Sequence, residues 1–209
     1  MTDADLPLNG IVVLDLGQIY NGPYATLLMA MAGARVIKVE SLRGEAARSK
    51  ASYPFASLNS NKESITLNLK TERGKGIFRD LVTKADVVLE NFAPDTMDNL
   101  GLAATSLLEI NPGLVYAAGS GYGRSGGHRD YLAMDVTVQA MSGMMSTTGL
   151  EGMPPMKAGA APCDFAGGMN LYSAVVSALL RKFRTGKGAI IDVAMQDSVL
   201  PMLTSSFSA

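Results

Sequence analysis

The sequence is poor in cysteine, histidine and tryptophan, and the first two scarcities exclude whole classes of site. Among 209 residues there is one cysteine, one histidine and no tryptophan. A single cysteine excludes an internal disulfide framework and a cysteine-rich zinc centre. A single histidine, His128 in a glycine-rich turn, argues against metal clusters and histidine-activated nucleophiles. We therefore expect no metal site, and we interpret His128 as an ordinary loop residue.

Charge is also scarce and has no strong sign. Charged residues make up 18% of the chain, the net charge is -1 and the isoelectric point is about 5.8. Lysine and arginine are scattered, so we expect neither a nucleic-acid partner nor a membrane partner. The first residues resemble neither a signal peptide nor a spanning helix, which makes the cytoplasm the expected location. Hydrophobic content of 47% predicts one domain with a substantial core.

Strand and helix patterns alternate along the chain. The first unit is an apolar run at 11–16, a helix that Pro23 opens and Gly33 ends, and a strand at 35–40. Further strands are predicted at 64–68, 86–90, 114–118 and 189–195. Helices are predicted at 72–84, 96–100, 106–110, 135–148, 169–183 and 196–203, and 41–60 is predicted to be irregular. The pattern predicts an α/β fold, with a Rossmann-like parallel sheet and helices on both faces.

The glycine pattern does not support a nucleotide phosphate site. The first turn has glycines only at its ends, Gly17 and Gly22, where a dinucleotide site needs Gly-x-Gly-x-x-Gly. A nicotinamide-dependent dehydrogenase is therefore a disfavoured alternative, although the acidic Glu40 closes the second strand as such a site requires. Segment 119–127 is glycine-rich but lacks the Gly-Lys-Ser/Thr ending of a phosphate loop. We interpret it as a flexible active-site loop.

Asp164 is the candidate for chemistry. It is the lone acid in a run of small residues at 157–169, just ahead of an apolar helical run. Two interpretations stay open: Asp164 caps that helix, or it is a nucleophile. They are compatible, because a helix N-terminus favours an ionised carboxylate. The adjacent Cys163 is an alternative nucleophile, weakened because no histidine is placed to activate it.

Several ordered motifs resemble those of the family III CoA-transferases, the group related to formyl-CoA and carnitine-CoA transferases. The motifs are GIVVLD (10–15), GPYA (22–25), GARVIKVE (33–40), LNLK (67–70), DVVLENF (86–92), QAMSG (139–143) and RTGKG (184–188). The resemblance implies that residues 1–209 are the N-terminal part of the large domain, with the small domain and the closing C-terminal segment absent. The sheet would then be incomplete relative to the family fold. Full-length relatives would form interlocked homodimers.

The resemblance further implies an enzyme that moves CoA from an acyl-CoA donor to a carboxylic acid acceptor. Asp164 falls on the family's catalytic aspartate, which passes through an aspartyl anhydride and an aspartyl-CoA thioester. Asp135 matches an acidic position near that aspartate in some members. Gly167 and Gly168 are candidates to stabilise an oxyanion through backbone N–H groups, because neither carries a side chain that would block its approach. Coenzyme A and acyl-CoA would be substrates, and no permanently bound cofactor is expected.

Matched position by position, the family's coenzyme contacts fall after three predicted strands. They are Ile19, Tyr20, Asn21, Leu67, Lys70, Asn91 and Phe92. Ser41 stands where an arginine is frequent, and Arg43 is a candidate to replace it. Met134 stands where the related α-methylacyl-CoA racemases have a catalytic histidine; a thioether moves no proton, so racemisation is a weaker alternative. A non-catalytic truncated fragment is the other alternative, because the second domain is absent.

Overall fold

The structure is a computed structural model that describes residues 5–50 and 52–206. Within them lies one six-stranded sheet in the order β3-β2-β1-β4-β5-β6, with every neighbouring pair parallel. The strands are β1 Val12–Asp15, β2 Arg35–Glu40, β3 Glu63–Thr66, β4 Val87–Glu90, β5 Val115–Ser120 and β6 Ala189–Ala194. This order is that of a Rossmann-like sheet, so the predicted fold class is confirmed.

Helices connect the strands in the described residues. They are α1 Asn21–Met31, α2 Ala46–Lys50, α3 Ser52–Asn59, α4 Glu72–Val82, α5 Thr96–Asn99, α6 Ala104–Ile110, α7 Asp135–Met141, α8 Pro162–Thr185 and α9 Met195–Val199. Two 3₁₀ turns, Met144–Thr147 and Leu200–Leu203, follow α7 and α9.

Successive strand residues face two separate helical layers, as the period of two in a strand requires. One face of the sheet packs against α1 and α8, where Val13, Met29 and Leu171 are fully buried. The opposite face packs against α4 and α6, where Leu14 and Phe78 are buried. Full burial of a large apolar side chain contributes about 1.5 to 3 kcal/mol. The helices on both faces therefore hold the sheet by apolar contact.

Three local predictions were wrong. Segment 41–60 is largely helical, as α2 and α3, rather than irregular. Pro23 is the third residue of α1, not the first, because the helix begins at Asn21. Helix α7 is shorter than predicted, since Gly143 adopts a φ of 83° and separates it from the following 3₁₀ turn. A left-handed glycine ends a helix at little steric cost.

Helix α8 is the longest element and begins earlier than predicted, at Pro162. It ends at Thr185 and is capped by Gly186, whose φ is 72°, within the predicted stop signal. By length and composition alone it is apolar enough to cross a membrane. In the fold one side of it is core, with Leu171, Val175 and Leu179 buried against the sheet.

Two adjacent glycines let α8 approach α1 closely. A Cβ added to Gly168 would lie 2.8 Å from the backbone oxygen of Asn21 and 3.0 Å from Tyr24 Cδ1. One added to Gly167 would lie 2.3 Å from Asn21 Nδ2 and 3.1 Å from Met195 Cγ. Only glycine fits both positions without movement of α1 or α9.

We expect Gly168→Ala to lower the free energy of unfolding by about 1 to 3 kcal/mol, because the new methyl group forces backbone apart in a packed layer. Gly76→Ala in α4 is the matched control, since a Cβ there meets nothing within 4 Å. This control should raise the free energy of unfolding by about 0.5 to 1 kcal/mol through helix propensity. Urea denaturation measures both; stabilisation by Gly168→Ala would contradict the close-packing interpretation.

Candidate active site

The first cavity lies where the loops after β1, β4 and β5 meet the start of α8. Its volume is about 520 Å³, and Asp164 lines it together with Ile19, Asn21, Asn91 and Phe92. The strand order reverses between β1 and β4, and ligands of such sheets bind at the carboxyl ends of strands at that point. Four predicted coenzyme residues and the predicted nucleophile are therefore neighbours in one ligand-sized space.

A second cavity, of about 730 Å³, adjoins the first on the β2 and β3 side. Arg43, Leu67 and Lys70 line it, and Phe92 and Gln18 line both cavities. Arg43 and Lys70 are exposed, so their cations stand at the mouth of this space, while the buried ions Lys38, Glu40 and Glu45 share the rest of its lining with mostly apolar residues. The remaining predicted contact, Tyr20, lies outside both cavities, with its ring centroid 6.0 Å from that of Phe165.

The turn after β1 forms part of both cavity walls and is held by two distant side chains. Asn91 Oδ1 accepts from the Gln18 N–H at 2.6 Å, and Asn91 Nδ2 donates to the Gln18 carbonyl at 2.9 Å. Glu45 Oε1 accepts from the Ile19 N–H at 2.7 Å. Ile19 has a φ of 64°, which is strained for a β-branched residue. These three hydrogen bonds hold Ile19 in that conformation.

A buried network of charged residues under this turn was missed by sequence reasoning. Lys62 Nζ donates to Asp15 Oδ2 at 3.0 Å, and Lys38 Nζ lies 2.8 Å from Glu45 Oε2. Burial raises the pKa of Asp15, but the charges of Lys38 and Lys62 outweigh burial and the net pKa is lowered. Asp15 also accepts from the Gly17 N–H at 2.7 Å. The one available signal was a charged residue next to apolar ones in two strands, Asp15 at the end of β1 and Lys38 within β2.

Glu40 is the acid that could bind the ribose of a dinucleotide, but in this fold its carboxylate already accepts hydrogen bonds from other side chains. Arg48 donates to both of its carboxylate oxygens, at 2.6 and 3.0 Å, and Ser64 donates at 2.6 Å. Burial raises the pKa of Glu40, yet the hydrogen bonds from Arg48, Ser64 and the Glu45 N–H lower it to about 2. A ribose would have to displace Arg48, which further disfavours the dehydrogenase alternative.

Asp164 is the third residue of α8, so the prediction that it caps the helix was wrong. The capping position is Ala161, and the helix begins at Pro162. The first free N–H groups are instead satisfied by Asp135 of α7. Its Oδ1 accepts from the Cys163 N–H at 2.8 Å and from the Asp164 N–H at 3.1 Å. A residue on another helix therefore performs the capping and leaves the Asp164 side chain to the cavity.

The pKa of Asp164 is raised to about 6, opposite to the direction expected from its place at a helix N-terminus. Burial is the largest cause, the charge of Asp135 is the second, and the Asn21 backbone amide offsets them in part. A carboxylate in such a setting stays ionised above about pH 6 and is more basic than an ordinary aspartate. Both properties suit a nucleophile.

Gly167 and Gly168 lie in the second turn of α8, away from the cavity lining. In an α-helix only the first four N–H groups lack a partner within the helix, and these glycines come after them. Their small size is required by the approach of α1. The structure therefore gives them a packing role in place of the oxyanion role predicted for them.

The side chains considered as alternatives to Asp164 are poorly placed for catalysis. Cys163 is fully buried, and burial together with the charges of Asp135 and Asp164 raises the pKa of its thiol to about 12. His128 is exposed, and its ring lies 4.9 Å from that of Tyr131. Across 5–50 and 52–206, no group of three or more His, Cys, Asp or Glu side chains is arranged to hold a metal ion. Met134 lines the first cavity but carries no transferable proton.

Comparison with known proteins assigns the chain to a family. Residues 8–209 match the model of CoA-transferase family III. The chain belongs to this family. It is 43% identical over 205 residues to the acetyl-CoA:oxalate CoA-transferase of Acetobacter aceti, covering 94% of this chain and 53% of that protein. It is 42% identical over 200 residues to the formyl-CoA:oxalate CoA-transferase of Streptomyces avermitilis, covering 92% and 49%.

The family III fold is also evident in solved structures. A CAIB/BAIF family protein from Brucella suis superposes with a TM-score of 0.93 at 36% identity, covering 97% of this chain and 56% of that one. The chain thus spans about half the length of the curated relatives it matches.

We expect Asp164→Asn to stabilise the fold at about pH 8 by about 3 kcal/mol. The folded-state pKa of about 6 exceeds the ordinary value of 3.8, so ionisation of Asp164 destabilises the native state as pH rises through that window. Below about pH 3 the carboxyl is largely protonated in both states and the two proteins should be equally stable.

Urea denaturation over this pH range measures the difference. Asp130→Asn is the control, because the Asp130 side chain is 74% exposed and its removal should change the free energy of unfolding by less than about 0.5 kcal/mol at any pH. A gain in Asp164→Asn that does not depend on pH would show that the pKa of Asp164 is not raised.

Proposed function

We propose that the chain is the CoA-binding, nucleophile-bearing half of an enzyme that moves CoA from an acyl-CoA to a carboxylic acid. The observation that carries this proposal is the position of Asp164. Its partly buried carboxylate opens into a cavity that adjoins a second cavity with a cationic mouth. Family membership supports the same reaction class.

The two cavities suit the two ends of coenzyme A. Arg43 and Lys70 have the charge to pair with its phosphates, and Leu67 offers apolar contact to the nucleotide. The pantetheine arm would then pass Gln18 and Phe92, which line both cavities. This path delivers the thioester to Asp164, and holding the reactants together supplies much of the catalysis.

The reaction proceeds by four acyl exchanges. The Asp164 carboxylate attacks the thioester carbonyl, the C–S bond breaks, and an aspartyl anhydride and CoA thiolate form. The thiolate attacks the aspartyl carbonyl, which releases the donor acid and leaves an aspartyl-CoA thioester. The acceptor carboxylate attacks this thioester, and a new anhydride and thiolate form. The thiolate then attacks the acceptor's carbonyl, giving the new acyl-CoA and the free Asp164 carboxylate.

The apolar surroundings of Asp164 help this chemistry. Ile19, Phe92 and Met195 line the cavity beside it, and a largely apolar wall limits the water that competes for an anhydride. Within the described lining, the side chains that can donate to an oxyanion are the neutral amides of Gln18, Asn21 and Asn91 and the hydroxyls of Ser120, Tyr131 and Thr137. The Asn21 amide already points toward this region, since its Nδ2 lies 3.4 Å from the Asp164 carbonyl oxygen.

The whole protein would add what this half lacks. We propose that a small domain and a closing C-terminal segment complete the large domain represented by residues 1–209, and that the complete enzyme is an interlocked homodimer in the cytoplasm. The half-length match to relatives and the family resemblance support this proposal. The sheet is consistent with it, because edge strand β6 alternates half-buried and exposed residues along most of its length.

A second candidate is a non-catalytic fragment that binds coenzyme A without transferring it. The observation that favours it is the half-length match, because residues from elsewhere in a full-length protein would normally help to close the site. Covalent labelling separates the two candidates.

We expect an acyl-CoA panel to leave an adduct on the purified chain, visible by intact mass after rapid quenching and mapped by peptide analysis to Asp164. The diagnostic species has the mass of CoA less one water and is released by hydroxylamine as a thioester would be. Asp164→Asn should form no adduct. Cys163→Ala, the matched control, should keep it, because that thiol is buried and protonated.

An adduct that survives in Asp164→Asn would reject the proposed nucleophile. A folded chain that binds CoA but forms no adduct with any donor would instead favour the non-catalytic candidate.

We expect Arg43→Ala and Lys70→Ala each to weaken CoA binding about tenfold, because each removes a charge-assisted contact to phosphate worth about 1.4 kcal/mol. Binding of pantetheine, which has no nucleotide phosphates, should not change. Lys84→Ala removes an equal charge from an exposed residue outside both cavities and is the control. Isothermal titration measures the affinities; equal losses for CoA and pantetheine would place the phosphates elsewhere.

A further inference from the structure

A buried amide, Gln139 of α7, links the backbone of the segment before α8 to the side chain of Asp135. Its side chain is 1% exposed. Its Oε1 accepts from the Ala158 N–H at 2.8 Å, and its Nε2 donates to Asp135 Oδ2. Because donor and acceptor each have a fixed partner, the amide has one orientation. No residue of this kind was singled out in the sequence, where Gln139 stood only within a family motif.

The two carboxylate oxygens of Asp135 accept hydrogen bonds from different helices. Oδ2 accepts from Gln139, while Oδ1 accepts from the N–H groups of Cys163 and Asp164. Hydrogen bonds thus run without interruption from the segment before α8, through Gln139 and Asp135, to the backbone of Asp164. A carboxylate also suits the positive end of a helix.

We propose that Gln139 and Asp135 are positioning residues that hold the start of α8, and with it the Asp164 side chain, at the cavity. This inference rests on the proposed nucleophilic role of Asp164 and extends it to two residues that do not line the cavity. The Asp135 charge has a second effect, since a nearby anion makes the Asp164 carboxylate more basic, and a more basic carboxylate is the better nucleophile.

Among the residues described, the side chains that line the cavity with Asp164 carry no charge, and Tyr131 is the one other titratable group among them. Helix α1 presents the neutral amide of Asn21, β5 presents Ser120, and α9 presents Met195. Cys163, on the same helix, stays a neutral thiol at physiological pH. Asp135 of α7 is the group that acts on Asp164 through its charge. Removal of the Asp135 charge should therefore lower the pKa of Asp164.

The titration is measured by carbon-13 NMR on the purified chain labelled at aspartate side-chain carboxyl carbons, with Asp164→Asn used to assign the signal. We expect Asp135→Asn to lower the Asp164 midpoint by about one pH unit. Asp130→Asn, which removes an exposed carboxylate from the preceding loop, should leave the midpoint in place. An unchanged midpoint in folded Asp135→Asn would overturn the electrostatic part of the inference.

The hydrogen bonds are tested by a double-mutant cycle. In Asp135→Asn the new amide nitrogen faces the Gln139 donor, and in Gln139→Glu two carboxylates face each other, so each single variant should lower the urea midpoint. The double variant restores complementary groups: the amide introduced at position 135 donates to one oxygen of the carboxylate introduced at position 139, and the other oxygen still accepts from the Ala158 N–H. Most of the lost stability should return.

Adduct formation with acyl-CoA provides the functional measurement. We expect it to fall in both single variants and to recover in the double variant more than additivity allows. Additive losses in both stability and labelling would overturn the positioning role. Should the native chain form no adduct while the titration and the cycle behave as expected, the proposed function fails and the positioning of Asp164 stands.

Discussion

The close packing of α8 on α1 is the contact on which the rest of the site depends. Two glycines remove the side chains that would separate these helices, and the approach places the first turn of α8 at the carboxyl edge of the sheet. Asp164 lies on that turn. Without this approach, a carboxylate from residue 164 would not meet the loops that follow β1 and β4. The geometry of one helix pair therefore brings a candidate nucleophile to the ligand-binding edge of a Rossmann-like sheet.

The site also concentrates features that lower stability, and the scaffold compensates for them nearby. Ile19 is held in a left-handed conformation, and Asp164 carries a carboxylate whose ionisation is opposed by burial and by Asp135. Strain and perturbed ionisation of this kind persist where surrounding contacts over-determine them. Here Glu45 and Asn91 hold the turn, and Asp135 satisfies the helix terminus. Beneath them, paired charges of opposite sign keep Asp15 ionised inside the core.

The division of the site into two cavities gives the proposed reaction a physical basis. A cationic mouth suits phosphates, which stay hydrated at an exposed surface, while a thioester and an anhydride need a dry wall. Gln18 and Phe92 belong to both spaces, so the turn after β1 and the end of β4 form the common boundary. The distribution of polar and apolar lining thus matches a substrate that is anionic at one end and reactive at the other.

Local sequence determined the order of strands and helices, the bounds of β2 and the candidacy of Asp164, because burial periodicity and turn chemistry act between residues a few positions apart. It failed where a segment lacked that periodicity, as in the helices within 41–60. Only the tertiary structure decided that Asp135 caps α8, that Lys62 donates to Asp15 and that Asn91 holds the turn at Gln18. Those partners are 28, 47 and 73 residues apart in the chain. No local pattern encodes such pairings; they arise when a buried polar group meets the partner that the fold brings to it.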